Sequence, residues 1–598
     1  MLSQRTTTSL FLAASTLLGL PFAQAVAATP SGASLATVAE QSHNVRTGRY
    51  DEVERLCPAY QQKWPTQVRC FEFGRTPEGR PMLALVASAD GVLDAAVARR
   101  AQRPVVLMQG GIHAGEIDGK DAGLLALREM LEGKVAKNVL SGVTFVFVPV
   151  FNVDGHERFG RWNRPNQVGP QEMGWRTNAQ NLNLNRDYVK AEAPETQAML
   201  RLMNEWDPIL FADLHVTDGA KFEHDVSYTV SPTLAGDDEL RGAGVALRDE
   251  LMQRARAWGS APVDFYPSFV RDDDPASGFA VGVGPRRFSQ QYWAAHNRLA
   301  VLVETHSWKD YPTRVRITHE TVIAMLQMAA RDGRKWLDVA RGADQRAAQI
   351  GGSNVALTYE NTPHVKMIDF RGYAYRREPS AISGAVLTRY DDRRPQIWHI
   401  PLLDEVRPGV TVAAPRGGYI VPAAYAQWLG EKLAVHGIEF RKLSQPLEAA
   451  STETFRATKV TVKPATFEGR SDISVDGGWQ AEPRDIPAGS LFVPIAQARS
   501  LVAMTLLEPK DPDSLVSWGF FNAAFERKEY MEAYVAEEVA EQLLKKDPAL
   551  QQEFTKRLEQ DPEFARDPAA RLDFFYRRSP SWDERYDLYP VYRVAEPL

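Results

Sequence analysis

The sequence predicts an α/β fold in which helices cover both faces of a central sheet. Apolar, β-rich runs alternate with segments of helical periodicity between about residues 82 and 340, which is the pattern of strands joined by helices. Several runs, such as residues 143–148, are continuously apolar, as expected of strands that are covered on both faces. Ligands bind such folds beyond the carboxyl ends of the strands, so the polar residues that follow each strand are the candidates for function.

The individual elements follow from these patterns. Strands are predicted at residues 83–86, 104–108, 143–148, 209–212 and 299–303. Helices are predicted at residues 121–131, 194–206, 238–258 and 319–337. Pro194 opens its helix at a position where proline is favoured, because its missing N–H is not needed there.

The sequence changes in character after about Arg341. Glycines at 351 and 352 interrupt the last helix, residues 365–421 contain strand and turn patterns, and a helix is predicted at 422–436. Strand-like segments continue to residue 465, and the chain from 511 onward is charge-rich and mainly helical, as at 528–546 and 550–558. These changes predict an α/β domain over residues 40–342 and an α+β region of unassigned role over 343–598.

Composition excludes several classes of protein. The chain has 598 residues, of which 44% are hydrophobic and 24% charged, so it is neither fibrous nor disordered throughout. Its 70 Lys and Arg against 76 Asp and Glu give a net charge of −6, which offers no basic surface for a nucleic acid. No apolar stretch after the N-terminus is long enough to span a membrane.

The first 28 residues are predicted to be a signal peptide. Arg5 supplies a positive charge, residues 10–22 are apolar, and Ala23-Gln24-Ala25 is the small-x-small pattern of a cleavage site. Comparable cuts lie as far as Ala28. We therefore expect an exported protein, periplasmic or secreted; the alternative is an uncleaved N-terminal membrane anchor.

Cys57 and Cys70 are the two cysteines of the chain. An oxidising compartment permits a disulfide between them, and two separate thiols are the alternative. Two cysteines do not provide a thiolate site of the zinc-finger type. Any metal must therefore be held by histidines and carboxylates.

Polar residues that suit a metal site follow two of the predicted strands. His113 and Glu116 lie three apart in a glycine-containing segment after the strand at 104–108, and His215 follows the strand at 209–212. Two histidines, one glutamate and a water form a known catalytic zinc set. A solvated loop and a structural histidine are the alternatives.

Two further groups complete the set of candidates. Glu304 ends the apolar strand at 299–303, where a buried carboxylate is costly unless it is paired or functional. Beside a metal-bound water it would act as a general base; the alternative is a carboxylate that faces solvent. Asn185 and Arg186 lie in a polar loop and could hold a carboxylate, the arginine through a bidentate contact.

Together these residues resemble the zinc carboxypeptidases of the carboxypeptidase A type. That family has, in the same chain order, an H-x-x-E pair, an Asn-Arg dipeptide in a polar loop, a histidine after a strand and a glutamate after a later strand. The resemblance covers about residues 50–340. It implies a mixed, mostly parallel sheet and makes the domain at 40–342 the catalytic one.

The resemblance also implies a role for each candidate. One zinc ion per chain would be held by His113, Glu116 and His215. Glu304 would take a proton from the zinc-bound water and return it to the leaving amine. Asn185 and Arg186 would hold the C-terminal carboxylate of the substrate.

Several positions depart from the family pattern. Most relatives have Asp where this chain has Asn183, and a neutral partner makes His113 a less basic ligand. Arg176, after Trp175, matches the arginine that polarises the scissile carbonyl, although it lies nearer the Asn-Arg dipeptide than usual. Tyr292 is the predicted active-site tyrosine. The resemblance places the specificity pocket somewhere in residues 282–292 without naming the residue that sets the preference; Arg286 and Arg287 in this segment are a hint of acidic side chains.

These inferences predict a zinc-dependent enzyme that removes C-terminal residues from peptides. One alternative is a zinc amidase of the same fold that acts on murein peptides or N-acyl amino acids. The other is a non-catalytic binding protein on a peptidase scaffold, which the loss of a ligand or of the base would indicate. No such residue is missing from the sequence.

Overall fold

A mixed eight-stranded sheet lies at the centre of the structure, a computed structural model that describes residues 34–598. The predicted signal peptide lies outside the described residues. The strands up to residue 306 are β1 (Val68–Arg75), β2 (Pro81–Ala87), β3 (Val105–Gly110), β4 (Thr144–Val148), β5 (Leu210–Thr217), β6 (Val226–Ser231), β7 (Pro262–Val263), β8 (Phe279–Ala280) and β9 (Leu299–His306).

The middle of this sheet is parallel and its edges are partly antiparallel. The strand order is β1-β2-β4-β3-β5-β9-β6-β7. Strands β4, β3, β5 and β9 run parallel to their neighbours in this group, and every residue in them is buried. Strands β1 and β2 add to one edge in antiparallel fashion, and β6 pairs antiparallel with β9. The predicted mixed, mostly parallel sheet is confirmed.

Helices cover both faces of the sheet. They are α1 (Val38–Gln41), α2 (Tyr50–Lys63), α3 (Ala95–Arg100), α4 (Asp118–Leu131), α5 (Val139–Gly142), α6 (Val153–Glu157), α7 (Pro194–Trp206), α8 (Asp238–Ala257), α9 (Ser289–Ala294) and α10 (Tyr311–Ala347). A Cβ on Gly119 of α4 would lie 2.7 Å from the Leu214 side chain, whereas Ser289 of α9 bonds to Asp213. Successive strand residues point to opposite faces, so α4 and α9 lie on opposite sides.

The observed elements extend beyond the predicted ones where polar residues are involved. Strand β5 continues for five residues past the predicted end at residue 212, because Asp213, His215 and Thr217 are buried and have partners within the protein. Helix α10 begins at Tyr311, where the Asp310 side chain caps it. The sequence pattern predicts that the strand ends at residue 212 and that the helix begins at residue 319.

The region after residue 347 is rich in β-strands and also contains helices. Its strands are β10 (Asn354–Ala356), β11 (Tyr359–Asn361), β12 (Lys366–Pro379), β13 (Val386–Leu403), β14 (Val406–Pro408), β15 (Thr411–Ala413), β16 (Gly418–Val421), β17 (Arg441–Lys442), β18 (Leu447–Ala450), β19 (Thr452–Val462), β20 (Ile473–Ala481), β21 (Arg484–Ile486), β22 (Leu491–Pro494) and β23 (Tyr592–Val594). Its helices are α11 (Ala426–Val435), α12 (Ser500–Leu507), α13 (Ala533–Lys546), α14 (Pro548–Gln560), α15 (Pro562–Arg566) and α16 (Pro568–Tyr576).

This region is attached to the first through sheet pairing and a shared core. Strand β13 pairs in parallel with β8, with Leu402 opposite Phe279. A six-stranded sheet of order β17-β22-β16-β23-β19-β20 forms most of the rest, and Tyr419 and Phe455 from it belong to the same buried cluster as the helices of the first region. Residues Ala36–Leu598 form one compact unit.

The two cysteines are paired in the structure. Cys57 in α2 and Cys70 in β1 form a disulfide with their Cα atoms 5.4 Å apart. It joins the first long helix to the edge of the central sheet. Within the described part of the chain, no helix has the length and apolar character needed to cross a bilayer.

Candidate active site

The carboxyl ends of β3, β5 and β9 bring the predicted metal and base residues together. Gly110 at the end of β3 is paired with Leu214 of β5, and His215 of β5 is paired with Glu304 of β9. His113 and Glu116 lie in the turn between β3 and α4. The parallel ladder therefore places residues that are far apart in sequence at one edge of the sheet.

The turn that carries His113 and Glu116 depends on two glycines. Gly111 has a φ of +64°, a backbone conformation that favours glycine. A Cβ on Gly115 would lie 2.6 Å from Arg164 Cγ and 2.7 Å from the Gly174 carbonyl oxygen, so a larger residue has no room there. The tight turn directs both side chains to one point.

His113, Glu116 and His215 form a buried cluster with the geometry of a metal site. One donor atom from each lies within 4.8 Å of the other two. His113 Nδ1 is 2.9 Å from Glu116 Oε1, and His215 Nδ1 is 2.9 Å from Glu116 Oε2. Two imidazoles and one carboxylate around a single point are the ligand set of a catalytic zinc site, and the residues present fit that ion.

The other nitrogen of each histidine also faces an oxygen, which fixes the orientation of the ring. His113 Nε2 lies 3.1 Å from Asn183 Oδ1, and His215 Nε2 lies 2.9 Å from Asp213 Oδ2. Ser289 Oγ donates a hydrogen bond to the same Asp213 oxygen. His113 can therefore donate through Nε2 and keep Nδ1 free for a cation, whereas His215 Nε2 lies within ion-pair distance of Asp213 but makes no hydrogen bond to it.

The surroundings of the cluster shift its protonation equilibria. Burial lowers the pKa of His113 to about 4. Burial acts in the same direction on His215, but the carboxylates of Asp213 and Glu304 outweigh it and raise the pKa of His215 well above its usual value. Glu116 is also buried, yet His113 and Arg164 hold the pKa of its carboxyl well below the usual range. An ionised glutamate and a neutral His113 are the forms that bind metal.

Glu304 lies beside this cluster with a free carboxylate oxygen. The residue is buried, and its Oε2 has no hydrogen-bond partner within the described residues. Burial raises the pKa of Glu304 to about 8, with His215 opposing and Glu116 and Asp213 adding to the effect. A cation held by the three ligands would act in the opposite direction. An unpartnered buried carboxylate is suited to receive a proton from water.

Two arginines lie close to the predicted metal ligands. The Arg164 guanidinium is buried, with Nη2 2.9 Å from Glu116 Oε1 and 2.7 Å from Asp218 Oδ1. The predicted carbonyl-polarising residue, Arg176, is more exposed, and its Nη1 lies 3.6 Å from Glu116 Oε1. Arg176 is thus at the site, but the Arg164 guanidinium lies closer to the Glu116 carboxylate.

The predicted carboxylate-binding residues lie on one short helical turn. Residues Leu184–Arg186 form a 3₁₀ turn, in which Asn185 is buried and accepts a hydrogen bond from the Ser289 N–H at 3.2 Å. The Arg186 guanidinium lies 4.5 Å from the centre of the Phe288 ring and donates to the Asn185 carbonyl at 2.7 Å. No carboxylate of residues 34–598 lies within ion-pair distance of Arg186, so it can bind an incoming anion.

The structure does not bring Tyr292 to the site. Its ring is buried in the core against Tyr188 and His296, and its hydroxyl is 2.8 Å from His436 Nδ1. Residue 292 lies within α9, and the side chain points to the interior. Tyr266 lies near the site, with its hydroxyl 3.3 Å from Thr217 Oγ1, although the residue as a whole is 41% exposed. Partial desolvation of the hydroxyl, with the charges of Glu304 and Glu116, raises the pKa of Tyr266.

The structure also corrects the expectation for Arg286 and Arg287. Arg286 Nη1 lies 2.8 Å from Asp511 Oδ2, and Arg287 Nε lies 2.5 Å from Asp513 Oδ1. Both guanidiniums are therefore neutralised by carboxylates from the second region. The expectation that they select acidic side chains loses its basis.

Sequence reasoning missed Arg164, Asp213 and Tyr266. Asp213 carried a signal, because it lies two residues before His215 and so on the same face of the strand. Arg164 and Tyr266 lie in long segments without periodicity, and their sequence neighbours do not distinguish them from other arginines and tyrosines.

Comparisons with known proteins show which proteins this chain resembles. Residues 53–257 match the family model described as zinc carboxypeptidase, a segment that contains the three predicted ligands. That segment is similar to the zinc carboxypeptidases. The similarity supports a metallopeptidase that hydrolyses peptide bonds. Glu304 lies beyond the matched residues, so its role depends on the geometry described above.

Individual relatives are distant. Carboxypeptidase 2 of Trichophyton rubrum is 22% identical over 488 residues, which cover 74% of this chain and 79% of that protein. A metallo-carboxypeptidase structure from Burkholderia cenocepacia is 19% identical, covers 47% of this chain and 69% of its own, and superposes with a TM-score of 0.35. The structure of carboxypeptidase A from Helicoverpa armigera is 16% identical, covers 50% of this chain and 75% of its own, and superposes with a TM-score of 0.34.

Proposed function

We propose that this protein is a zinc-dependent exopeptidase that removes residues from the C-terminus of peptides. The observation that carries the proposal is the unpaired Arg186, which lies next to Asn185 in the loop that also orients His113 through Asn183. A guanidinium without a carboxylate partner provides a bidentate site for the free carboxylate of a chain end. Its position fixes which peptide bond reaches the metal site.

His113, Glu116 and His215 would hold one zinc ion per chain. When bound, zinc supplies a Lewis acid that polarises the scissile carbonyl and makes water more acidic. Asn183 would orient the His113 imidazole through Nε2, and the Asp213 carboxylate, 2.9 Å from His215 Nε2, would favour the ring orientation in which Nδ1 of His215 stays available.

Glu304 would act as the general base and then as the proton donor. Its free Oε2 takes a proton from the attacking water and later delivers it to the leaving amine. Arg164 and Arg176 lie near Glu116 and would stabilise the negative charge that develops on the carbonyl oxygen. We assign to Tyr266 the role expected of Tyr292, a phenol next to the reacting groups, because its hydroxyl lies beside Thr217 at the end of β5.

The test measures how fast the purified enzyme, with added zinc, cleaves two matched peptides. One peptide carries a free C-terminal carboxylate and the other a C-terminal amide. Because amidation leaves Arg186 unpaired when substrate is bound, we expect kcat/KM to fall by roughly thirty- to hundredfold, equivalent to about 2–3 kcal/mol. Equal cleavage of the two peptides would reject the exopeptidase and leave a zinc amidase, with murein peptides and N-acyl amino acids as the next substrates to assay.

We also propose that the enzyme is exported and acts in an oxidising compartment. The predicted signal peptide and the Cys57–Cys70 disulfide support this. N-terminal sequencing of the protein recovered outside the cytoplasm should give a first residue between 26 and 29. A mature chain that still starts at residue 1 would contradict cleavage.

A further inference from the structure

The loop that carries the predicted substrate-binding residues is held by a turn from the second region. The Asn183 N–H donates a 2.9 Å hydrogen bond to Glu468 Oε2, across 285 residues of sequence. A Cβ on Gly469 would lie 3.7 Å from Leu182 Cδ2, so the turn and the loop are also close to van der Waals contact. We call residues 182–186 the binding loop and residues 467–470 the supporting turn.

The supporting turn has a tight and unusual backbone. Phe467 and Arg470 exchange backbone hydrogen bonds of 2.9 and 3.0 Å. Between them, Glu468 has a φ of +50° and Gly469 a φ of +78°. A glutamate with positive φ is uncommon, and strained residues persist where the surrounding structure holds them and often mark functional positions. The Glu468 carboxylate is what this turn presents to the binding loop.

The supporting turn is fixed from two sides. The Phe467 ring stacks on Trp518 at a centroid distance of 5.9 Å. Arg470 pairs with Glu192, a short way beyond the binding loop, and its guanidinium lies 3.9 Å from the centre of the Phe520 ring. The turn thus joins the second region to the segment that follows the binding loop, and Glu468 has little freedom to move.

Asn183 transmits this support to both parts of the site. Its backbone N–H is held by Glu468, while its side-chain oxygen faces His113 Nε2 at 3.1 Å and accepts from the Asn185 N–H at 3.0 Å. We infer that Glu468 is a positioning residue that acts through Asn183 on the binding loop, and so on the grip of Arg186 on the chain end. The effect on substrate binding rests on the proposed function; the effect on the loop itself does not.

Two substitutions at Glu468 can distinguish the effect of its hydrogen bond from the effect of its charge. No residue within the described chain forms an ion pair with this carboxylate. Glutamine at this position keeps an oxygen that can accept from Asn183 but removes the charge, whereas alanine removes both. If Glu468 acts by positioning, Glu468→Gln should have the KM and amide exchange of the wild type, and Glu468→Ala should not.

The first experiment measures kcat and KM for a peptide with a free C-terminus. Losing a hydrogen bond to a charged acceptor corresponds to about a tenfold change, so Glu468→Ala should raise KM about tenfold with kcat within about twofold of the wild type. Glu468→Gln should restore the wild-type KM. The exposed Glu448 on β18 provides the control, and Glu448→Gln should change nothing. A wild-type KM in Glu468→Ala would overturn the effect on substrate binding.

The second experiment does not depend on the substrate. Hydrogen–deuterium exchange followed by mass spectrometry on peptides that cover residues 181–187 should show about tenfold faster exchange in Glu468→Ala, because the Asn183 amide loses its acceptor. Exchange in Glu468→Gln and Glu448→Gln should match the wild type. Unchanged exchange in Glu468→Ala would overturn the positioning role. If the wild type cleaves free and amidated peptides equally, the proposed function fails, and exchange alone decides the role of Glu468.

Discussion

The strand ends next to the predicted metal ligands and the binding loop that carries Arg186 are held in place by different forces. Strands β3, β5 and β9 are fully buried and hydrogen-bonded to each other along a parallel ladder, so the backbone itself places His215 next to Glu304. The binding loop has only one 3₁₀ turn of regular structure, and a side chain 285 residues away holds the Asn183 N–H.

This difference suggests that the sheet positions the groups that react, whereas the binding loop positions the groups that recognise the substrate. Packing and ladder hydrogen bonds fix the reacting groups, and these are properties of a sheet that the first region builds by itself. Under the proposed function, recognition of the substrate end would depend on polar contacts between the two regions. Changes in the strand ends should therefore abolish the reaction, whereas changes around the binding loop should alter substrate affinity. The predictions below test this division.

The largest effect is expected from removing a metal ligand. His113→Ala and His215→Ala should each reduce zinc from about one ion per chain to nearly none and reduce activity to background, because two remaining ligands do not hold the ion. Metal analysis after exhaustive dialysis checks this. His399, exposed on β13, provides the control His399→Gln. Full zinc in either ligand variant would disprove the assignment.

Removing the base should abolish turnover but not metal binding. Glu304→Gln has nearly the same shape but does not accept and return a proton, so kcat should fall by about 10²- to 10⁴-fold. The zinc content should stay at the wild-type level, which distinguishes this variant from the ligand variants. Steady-state kinetics and metal analysis on the same sample test the prediction. Turnover close to that of the wild type would remove Glu304 from the base role.

Recognition should be affected less strongly and only for one class of substrate. Arg186→Ala should lower kcat/KM for a free-acid peptide by roughly thirty- to hundredfold and should hardly change it for the amidated peptide. The two losses, amidation and Arg186→Ala, should not add, because each removes the same contact. The exposed Arg394→Ala serves as the control. Additive losses would show that Arg186 does not contact the substrate carboxylate.

The smallest effect is expected from changing Asp213, whose carboxylate lies next to the predicted ligand His215. Asp213→Asn keeps an oxygen near His215 Nε2 but removes the charge, so zinc affinity should fall by about tenfold, at the lower end of the effects seen for such partners. Competition with a chelator measures this. His113 already has the neutral partner Asn183, so Asp213 is the charged carboxylate behind the ligand histidines. Unchanged affinity would mean that the charge of Asp213 does not tune the site.

Residues next to the strands were predictable, and residues in long loops were not. The apolar runs located strands β3, β5 and β9 to within a few residues of their ends, and therefore drew attention to His113, His215 and Glu304. Arg164 and Tyr266 come from segments without periodicity, so sequence favoured Arg176 and Tyr292 instead. Tyr292 was plausible by its distance from Glu304, but the direction of its side chain depends on which face of α9 meets the core.

The sequence by itself determined the α/β sheet, the order of the candidate ligands along the chain and the position of the candidate base. It could do so because hydrophobic periodicity marks strands, and the ends of adjacent parallel strands meet at one edge. Only the tertiary structure decided that Cys57 meets Cys70, that Asp511 and Asp513 neutralise Arg286 and Arg287, and that Glu468 supports the binding loop. Such contacts join side chains far apart in the chain, and no local pattern encodes them because they depend on how the two regions pack.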